Sequence, residues 1–342
     1  MNPFLDDSFH VPWSKLTPER VVPDITLALE KAESEMQAIR SLSPEEIDFR
    51  NVPLRFCKAQ EDLGEAWNLV SHLDQVRNSE ELREAYNEML PKVTAFGTKA
   101  LLDQTLWKRV KSFSQSEEAQ SLEGQEKRLL DELVGDFVEA GANLPEDKRT
   151  QLEKLSTELA QVTQKFSENV LDSTNAWQKN IEDESLLEGL PESAKIAARE
   201  MAKQKEMDGW LFTLHAPSIM PIMKYLDSSS IRREFWEKSS KIGWTEDRDN
   251  TDLIRKILEL RQEKALLLGK KDYADVMLER RMAGSGVRAD EFVSDLKNKT
   301  ADAFQRENDQ LIAFKAEKTG QPVELLEPWE YSYWSEKQMK EK

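Results

Sequence analysis

Residues 146–177 read EDKRTQLEKLSTELAQVTQKFSENVLDSTNAW, and within them Leu152, Leu155, Leu159, Val162, Phe166 and Val170 recur at intervals of 3-4-3-4-4. That is the return period of one face of an α-helix. A helix over the whole stretch is about 48 Å long at about 1.5 Å per residue, and its narrow apolar seam suits an antiparallel neighbour. A neighbour lies just upstream. Leu122, Leu129, Leu133 and Phe137 share a face between 121 and 140, and Gly141 suits the left-handed position after a helix end. Asn143-Leu144-Pro145-Glu146-Asp147 then starts the next helix with proline and two acids in its first turn. The expectation is a long antiparallel helical hairpin, 121–140 with 146–177.

Helix signals continue toward the N-terminus. Thr17-Pro18-Glu19-Arg20 offers a capping hydroxyl and proline at the first helical position, leading after Pro23 into a helix to about Leu42. Ser43-Pro44-Glu45-Glu46 has the form of a capping box, ahead of a helix expected from near Val52 to Val76. Asn78-Ser79-Glu80-Glu81 caps another, which Pro91 is expected to kink or end, with helical patterning resuming to about Phe113.

Toward the C-terminus a helix follows Pro191, and then the pattern changes. Trp210-Leu211-Phe212-Thr213-Leu214 is short, aromatic and bounded by Gly209 and Pro217, the signature of a strand. Further helices are expected to Tyr225, from Ser228-Ser229-Ser230, from Thr251 to Gly269 across a polar loop at 244–250, and from about Arg288 to Thr319. The fold class is therefore mainly α: an elongated multi-helix bundle with a long antiparallel helical hairpin and one short β segment near 210–214. The expected division is an N-terminal helical lobe over 1–190 and a second helical region with the β segment over 191–342.

Composition narrows the function classes. Lys and Arg number 48 against 65 Asp and Glu, a net charge of −17, which repels nucleic-acid backbones and anionic membranes. Nine Trp and 13 Phe demand burial and argue against disorder. The single Cys57 excludes an intrachain disulfide and reads as a structural thiol. The opening residues lack the basic region and apolar run of a signal peptide, and no apolar stretch approaches the roughly 20 residues of a membrane span.

No complete catalytic constellation emerges. Zinc hydrolysis on a helix uses two His at i and i+4 with a Glu between them. The three histidines, His10, His72 and His215, lie far apart in sequence, and none is followed by Glu-x-x-His. His72 and Asp74 read as helix-surface hydrogen-bonding groups, and His215 as a strand-end group. Gly284-Ser285-Gly286 and Leu268-Gly269-Lys270-Lys271 lack the remaining residues of a phosphate-binding loop and read as helix-terminating turns. Acidic pairs such as Glu45-Glu46, Glu80-Glu81 and Glu117-Glu118 sit at helix starts or in polar loops, where the helix dipole accounts for them. No catalytic, cofactor-binding or metal-ligating residue is assigned.

A resemblance distributed along the chain adds to this reading. It runs through Phe9-His10-Val11-Pro12-Trp13, Trp67-Asn68-Leu69-Val70-Ser71-His72-Leu73, Gln164-Lys165-Phe166-Ser167-Glu168-Asn169-Val170-Leu171-Asp172, Gly189-Leu190-Pro191-Glu192 and Gly209-Trp210-Leu211-Phe212-Thr213-Leu214. It ends with Pro328-Trp329-Glu330 and Tyr333-Trp334-Ser335-Glu336-Lys337. Together these resemble the N-terminal half of the thimet oligopeptidase and oligopeptidase A family of zinc metallopeptidases. The last segment is similar to a Pro-Trp-Asp-x-x-Tyr-Tyr pattern, with Glu330 in place of Asp and Trp334 in place of the second Tyr.

The resemblance implies a mainly helical, two-lobed peptidase whose channel admits short, unstructured peptides. Its zinc would be held by the two His of H-E-x-x-H and a downstream Glu, none of which has a counterpart at any position here. This chain is thus expected to bind no cofactor itself, and zinc is expected for the full-length family enzyme. The expected partners are short peptides, as substrates of that enzyme, and a missing catalytic half, with no nucleic acid and no membrane; the expected location is cytoplasmic. The leading expectation is an N-terminal, non-catalytic portion forming part of the substrate-channel wall, inactive alone. The alternative is a naturally truncated relative acting as a peptide-binding or interaction module. On the leading expectation the aromatic segment Trp329, Tyr331, Tyr333 and Trp334 is a hinge toward the missing lobe, with at least two rings lacking native-like cover.

Overall fold

The computed structural model describes residues 2–245 and 247–341; Met1, Glu246 within the expected 244–250 loop, and Lys342 lie outside the described residues. In chain order the α-helices are α1 Pro18–Arg40, α2 Arg55–Ala59, α3 Glu61–Val76, α4 Glu80–Leu102, α5 Gln104–Ser114, α6 Glu117–Ser121, α7 Gly124–Glu139 and α8 Glu146–Ala176. Strand β1 (Gln178–Ile181), α9 (Glu192–Gln204) and strand β2 (Trp210–Thr213) follow. The remaining helices are α10 Ala216–Tyr225, α11 Ser229–Ser239, α12 Thr251–Leu267, α13 Tyr273–Leu278, α14 Gly286–Thr319 and α15 Tyr331–Glu341. The fold is mainly α, with two short antiparallel strands.

Two compact units are present. One comprises residues up to 164 together with 255–282, the other 165–254 together with residues from 283 onward. They interleave along the chain.

In the first unit α1 packs on α3 and α4, burying Val21, Ile25, Ala28, Ala66, Val70 and Met89. Contrary to the expected start after Pro23, α1 runs unbroken from Pro18, and α4 likewise continues through Pro91. A mid-helix proline costs roughly 3 kcal/mol, whereas each fully buried large apolar side chain contributes about 1.5–3 kcal/mol. Several such residues along both helices outweigh one lost hydrogen bond. The start of α1 is also tied down by the fully buried Asp24, which accepts from Arg20 Nη2 at 2.6 Å and from the Phe4 backbone N–H at 3.1 Å. Thr17 holds the N-cap backbone conformation, but its hydroxyl accepts no capping hydrogen bond.

The helix expected from Val52 to Val76 is divided. Arg50–Leu54 forms a π-type turn containing Pro53, and α2 ends at Gln60 before α3 begins. The turn follows from Pro53, whose missing N–H interrupts the regular ladder; the next donor, Leu54 N–H, reaches back five residues to Phe49 O at 3.0 Å. The Ser43 capping signal closes only a 3-10 turn, Pro44–Glu46, where the Glu46 carboxylate accepts from Ser43 N–H at 2.8 Å. Gly141 does take the left-handed conformation after α7, with φ +91°. On α7, Leu130, Leu133 and Phe137 are buried, so Leu130 takes a core position that periodicity gave to Leu129.

Arg280 ties segment 255–282 to α7. Arg280 pairs with Glu132, with Asp136 at 2.7 Å and with Glu139 at 3.3 Å. Gly135 leaves room for it, since a Cβ there would lie 2.4 Å from the guanidinium carbon.

In the second unit β2 pairs antiparallel with β1, Gln178 opposite Thr213 and Ile181 opposite Trp210. An isolated two-stranded ribbon is marginal in water; here α9 and α10 pack on β2. Ile181, Phe212, Leu214, Ile222, Leu226 and Phe235 form the core. Gly209 enters β2 at φ +89°, where a Cβ would lie 2.5 Å from Ile181 O, so both the turn and the close approach require glycine.

Candidate functional site

The histidines occupy separate places. His10 is exposed and edge-on to Phe9 at 5.2 Å, and exposed His72 lies 5.8 Å from the Trp13 ring. His215 caps the start of α10 and shares a 2.9 Å hydrogen bond with Asn175 Oδ1. Asp74, expected at the helix surface, is buried and accepts from Asn78 Nδ2 at 2.6 Å, because Gln164 of α8 also closes over it at 3.4 Å. Among the described residues no group of three or more His, Cys, Asp or Glu side chains is placed to hold a metal ion; the residues present do not fit a zinc centre. Cys57 is half-buried, and burial with the nearby Asp136 charge pushes its thiol above the usual range. That favours the protonated, poorly nucleophilic form.

A polar and aromatic constellation lies where α15 meets α10 and α14. Its centre is Arg232 on α11, only 2% exposed. The guanidinium donates from Nη1 to Leu226 O at 2.5 Å and Asp227 O at 3.0 Å, and from Nε to Trp329 O at 3.2 Å. Its carbon stands 3.9 Å from the centre of the Tyr333 ring, well inside cation–π range. Tyr333 Oη donates to Asp227 Oδ1 at 2.6 Å, and Lys337 Nζ donates to the same oxygen at 3.0 Å. Three carbonyls that end α10 or precede α15 are thereby satisfied by one planar donor.

Charge states follow from these contacts. Burial opposes ionisation of Asp227, but hydrogen bonds from Tyr333 and Lys337 outweigh it and hold the carboxyl below its ordinary value. Burial, and then the hydrogen bond to Asp227, pushes the Tyr333 phenol up. Burial pulls Lys337 down, yet its bonds to Asp227 and Tyr333 prevail and raise it. For Arg232 burial dominates and lowers the value.

The two departures from the family pattern have visible roles. Glu330, 8% exposed, receives Lys315 Nζ at 2.7 Å on both oxygens and accepts from Glu327 N–H at 3.0 Å. Trp334 meets Phe314 of α14 edge-on at 6.2 Å. Trp329 packs 5.7 Å from Trp236 and donates from Nε1 to Ser229 Oγ at 3.2 Å. Of the four rings Tyr333 is buried, Trp329 and Trp334 are half-buried and Tyr331 is exposed. The cover comes from α11 and α14, contacts more than 15 residues away that the local sequence does not announce.

Beside β2 lies an apolar cleft of about 200 Å³ lined by Ala194, Ala198, Met201, Phe212, His215 and Pro217 among others. It can take an apolar group the size of one or two side chains.

Comparison with known proteins fits this architecture. "Neurolysin/Thimet oligopeptidase, N-terminal domain" matches residues 25–149, and "Peptidase family M3" matches residues 222–342. Oligopeptidase A of Escherichia coli K12 is 34% identical across 98% of this chain. By these matches the chain is similar to the peptidases of family M3. It is also similar to the probable cytosolic oligopeptidase A of Arabidopsis thaliana, 30% identical over 98% of this chain and 48% of the relative. Dipeptidyl carboxypeptidase of Escherichia coli is 26% identical over all of this chain and 51% of its own length. The oligopeptidase A of Escherichia coli is matched over 50% of its length, so the chain spans about half the length of the curated relatives it matches. The Arg232–Tyr333 corner lies inside the second matched region, where Lys315 pairs with Glu330 and Phe314 meets Trp334. Among the described residues no helix is long and apolar enough to cross a membrane.

Proposed function

We propose that this chain is the non-catalytic N-terminal portion of a zinc-dependent oligopeptidase and forms part of the wall of a channel for short peptides. The observation that carries this reading is the match itself. Oligopeptidase A aligns with nearly the whole chain but with half of the relative, and the first matched segment is described as an N-terminal domain. The chemistry would reside in the other half, which would supply the zinc ligands and the water-activating carboxylate. The contribution of this chain is steric: its helices would bound the space that a peptide must enter. Cytoplasmic location belongs to the same proposal.

The test is a chimera in which residues 1–342 replace the corresponding half of Escherichia coli oligopeptidase A. Chelator-sensitive cleavage of a quenched fluorescent peptide by the chimera, and none by residues 1–342 alone, is the expected result. A folded chimera with no activity would sink the reading.

One observation favours a second reading, a non-catalytic peptide-binding or interaction module. The aromatic segment is partly covered by the chain's own α11 and α14, with Tyr333 buried and Trp329 and Trp334 half-buried. That reading expects residues 1–342 alone to be monodisperse and to bind short peptides in calorimetry; no detectable heat with a panel of peptides would count against it.

A further inference from the structure

The cleft beside β2 has an apolar floor, an open rim and two hydroxyl donors, all within one unit of the fold. On α9, Ala194, Ala198 and Met201 recur at 4-3 spacing, which puts them on one face. Two of the three are alanines, so this face stands back from β2 and leaves a space of about 200 Å³. Buried Leu211 and Phe212 close the floor, and exposed His215 and Pro217 form the rim. The His215 ring is held in place by its 2.9 Å hydrogen bond to Asn175 Oδ1.

Size sets the first limit on what fits. Sites for drug-sized ligands run to about 300–1,000 Å³, whereas an apolar cavity of about 150 Å³ holds benzene. The space here matches one ring with a short substituent. The hydroxyls set the second limit. Ser218 Oγ accepts from Thr213 N–H at 2.9 Å, and Thr213 Oγ1 accepts from His215 N–H at 3.4 Å. Both side chains line the cleft, and among the described residues neither hydroxyl proton has a protein acceptor. A hydroxyl that already accepts from the protein offers its hydrogen, so the complementary group is an accepting oxygen and not an ammonium.

We propose that this cleft is a binding site for a single aromatic ring that carries a carbonyl or carboxylate oxygen, with the ring on Ala198, Met201 and Phe212 and the oxygen on Ser218 and Thr213. A free aromatic ketone or acid presents that chemistry, and so does a phenylalanine residue of a peptide, whose own carbonyl follows the ring. The site uses only residues between 175 and 218 and stands apart from the N-terminal-portion reading.

The test titrates residues 1–342, carrying ¹³C in the methionine methyls, with acetophenone and, separately, with N-acetylphenylalanine amide. The Met201 methyl, assigned with Met201→Leu, is expected to shift saturably under the ring current, while exposed Met282 and Met339 stay in place. Ethylbenzene and benzylammonium, which keep the ring and lack the oxygen, are expected to bind about fivefold more weakly, the worth of one hydrogen bond. Ser218→Ala should weaken acetophenone by about the same factor and leave ethylbenzene unchanged. Ala197→Phe, placed at the exposed edge of the cleft, should abolish the Met201 shift while circular dichroism matches the parent. Tighter binding of acetophenone assigns the site to a free molecule, and tighter binding of the amide assigns it to a peptide residue; either result supports the site. No saturable Met201 shift with either probe overturns it, as does ethylbenzene binding as tightly as acetophenone to the parent.

Discussion

Replacing Arg232 with Met removes the donor that closes the α11–α15 corner while keeping much of its apolar stem. Three carbonyl oxygens, of Leu226, Asp227 and Trp329, lose a charged donor, and such bonds contribute about 1.5–3 kcal/mol each. The contact with Tyr333 at 3.9 Å adds about 2 kcal/mol when desolvated. These effects do not add, because removal of Arg232 also relieves its own desolvation and some carbonyls regain water. The expected net loss is about 3–5 kcal/mol, the range for breaking a buried charged network. Arg233→Met is the control, since Arg233 is largely exposed and lies 5.1 Å from Trp329; its loss is expected below about 1 kcal/mol. Urea unfolding followed by tryptophan emission and circular dichroism reads both, with the transitions of the two units fitted separately. An Arg232→Met variant within about 1 kcal/mol of the parent would refute the central place given to this guanidinium.

The same corner has a pH signature. Asp227 is held below its ordinary value, so its contribution is complete above the unfolded carboxylate range and is lost as pH falls through the lower folded value; Asp227→Asn should weaken that acid dependence in pH-dependent unfolding. Tyr333 and Lys337 are raised, so their contributions are complete below their unfolded values near pH 10 and are lost as pH rises through the folded ones; Tyr333→Phe should flatten that alkaline loss. Gly209→Ala forces a side chain into φ +89° against Ile181 O and should cost about 2–3 kcal/mol with loss of the β1–β2 pairing, read by unfolding and amide exchange. Cys57, with its thiol pushed up by burial, should alkylate with iodoacetamide at pH 7.5 several-fold more slowly than a free thiol, measured by mass spectrometry.

Much of the fold was legible because it is written locally. The period of Leu152 and Leu155, the glycine after α7 and the Ser79 cap each depend on a few adjacent residues, and the Ser79 hydroxyl accepts from Leu82 N–H; Ser285, read only as part of a turn, caps α14 and accepts from Arg288 N–H. Local rules misled where tertiary burial opposed them, at Pro23 and Pro91, whose helices continue because their faces pack on one another. Strand β1 was invisible because Gln178-Lys179-Asn180-Ile181 has no apolar alternation; only pairing with β2 gives it form. Nothing in the local sequence singles out Arg232. Its burial depends on Trp329 and Tyr333, about 100 residues later, a distance no periodicity spans. The catalytic chemistry was not legible because the H-E-x-x-H motif that would carry it does not occur in this sequence.

Peptide hydrolysis by the chimera of residues 1–342 with the second half of Escherichia coli oligopeptidase A tests the central claim most directly, run beside residues 1–342 alone. The account predicts that the chimera cleaves a short quenched peptide in a chelator-sensitive manner and leaves a folded protein intact, and that the chain alone cleaves neither. Chelator-sensitive turnover by residues 1–342 alone, or a folded chimera that cleaves nothing, would contradict it.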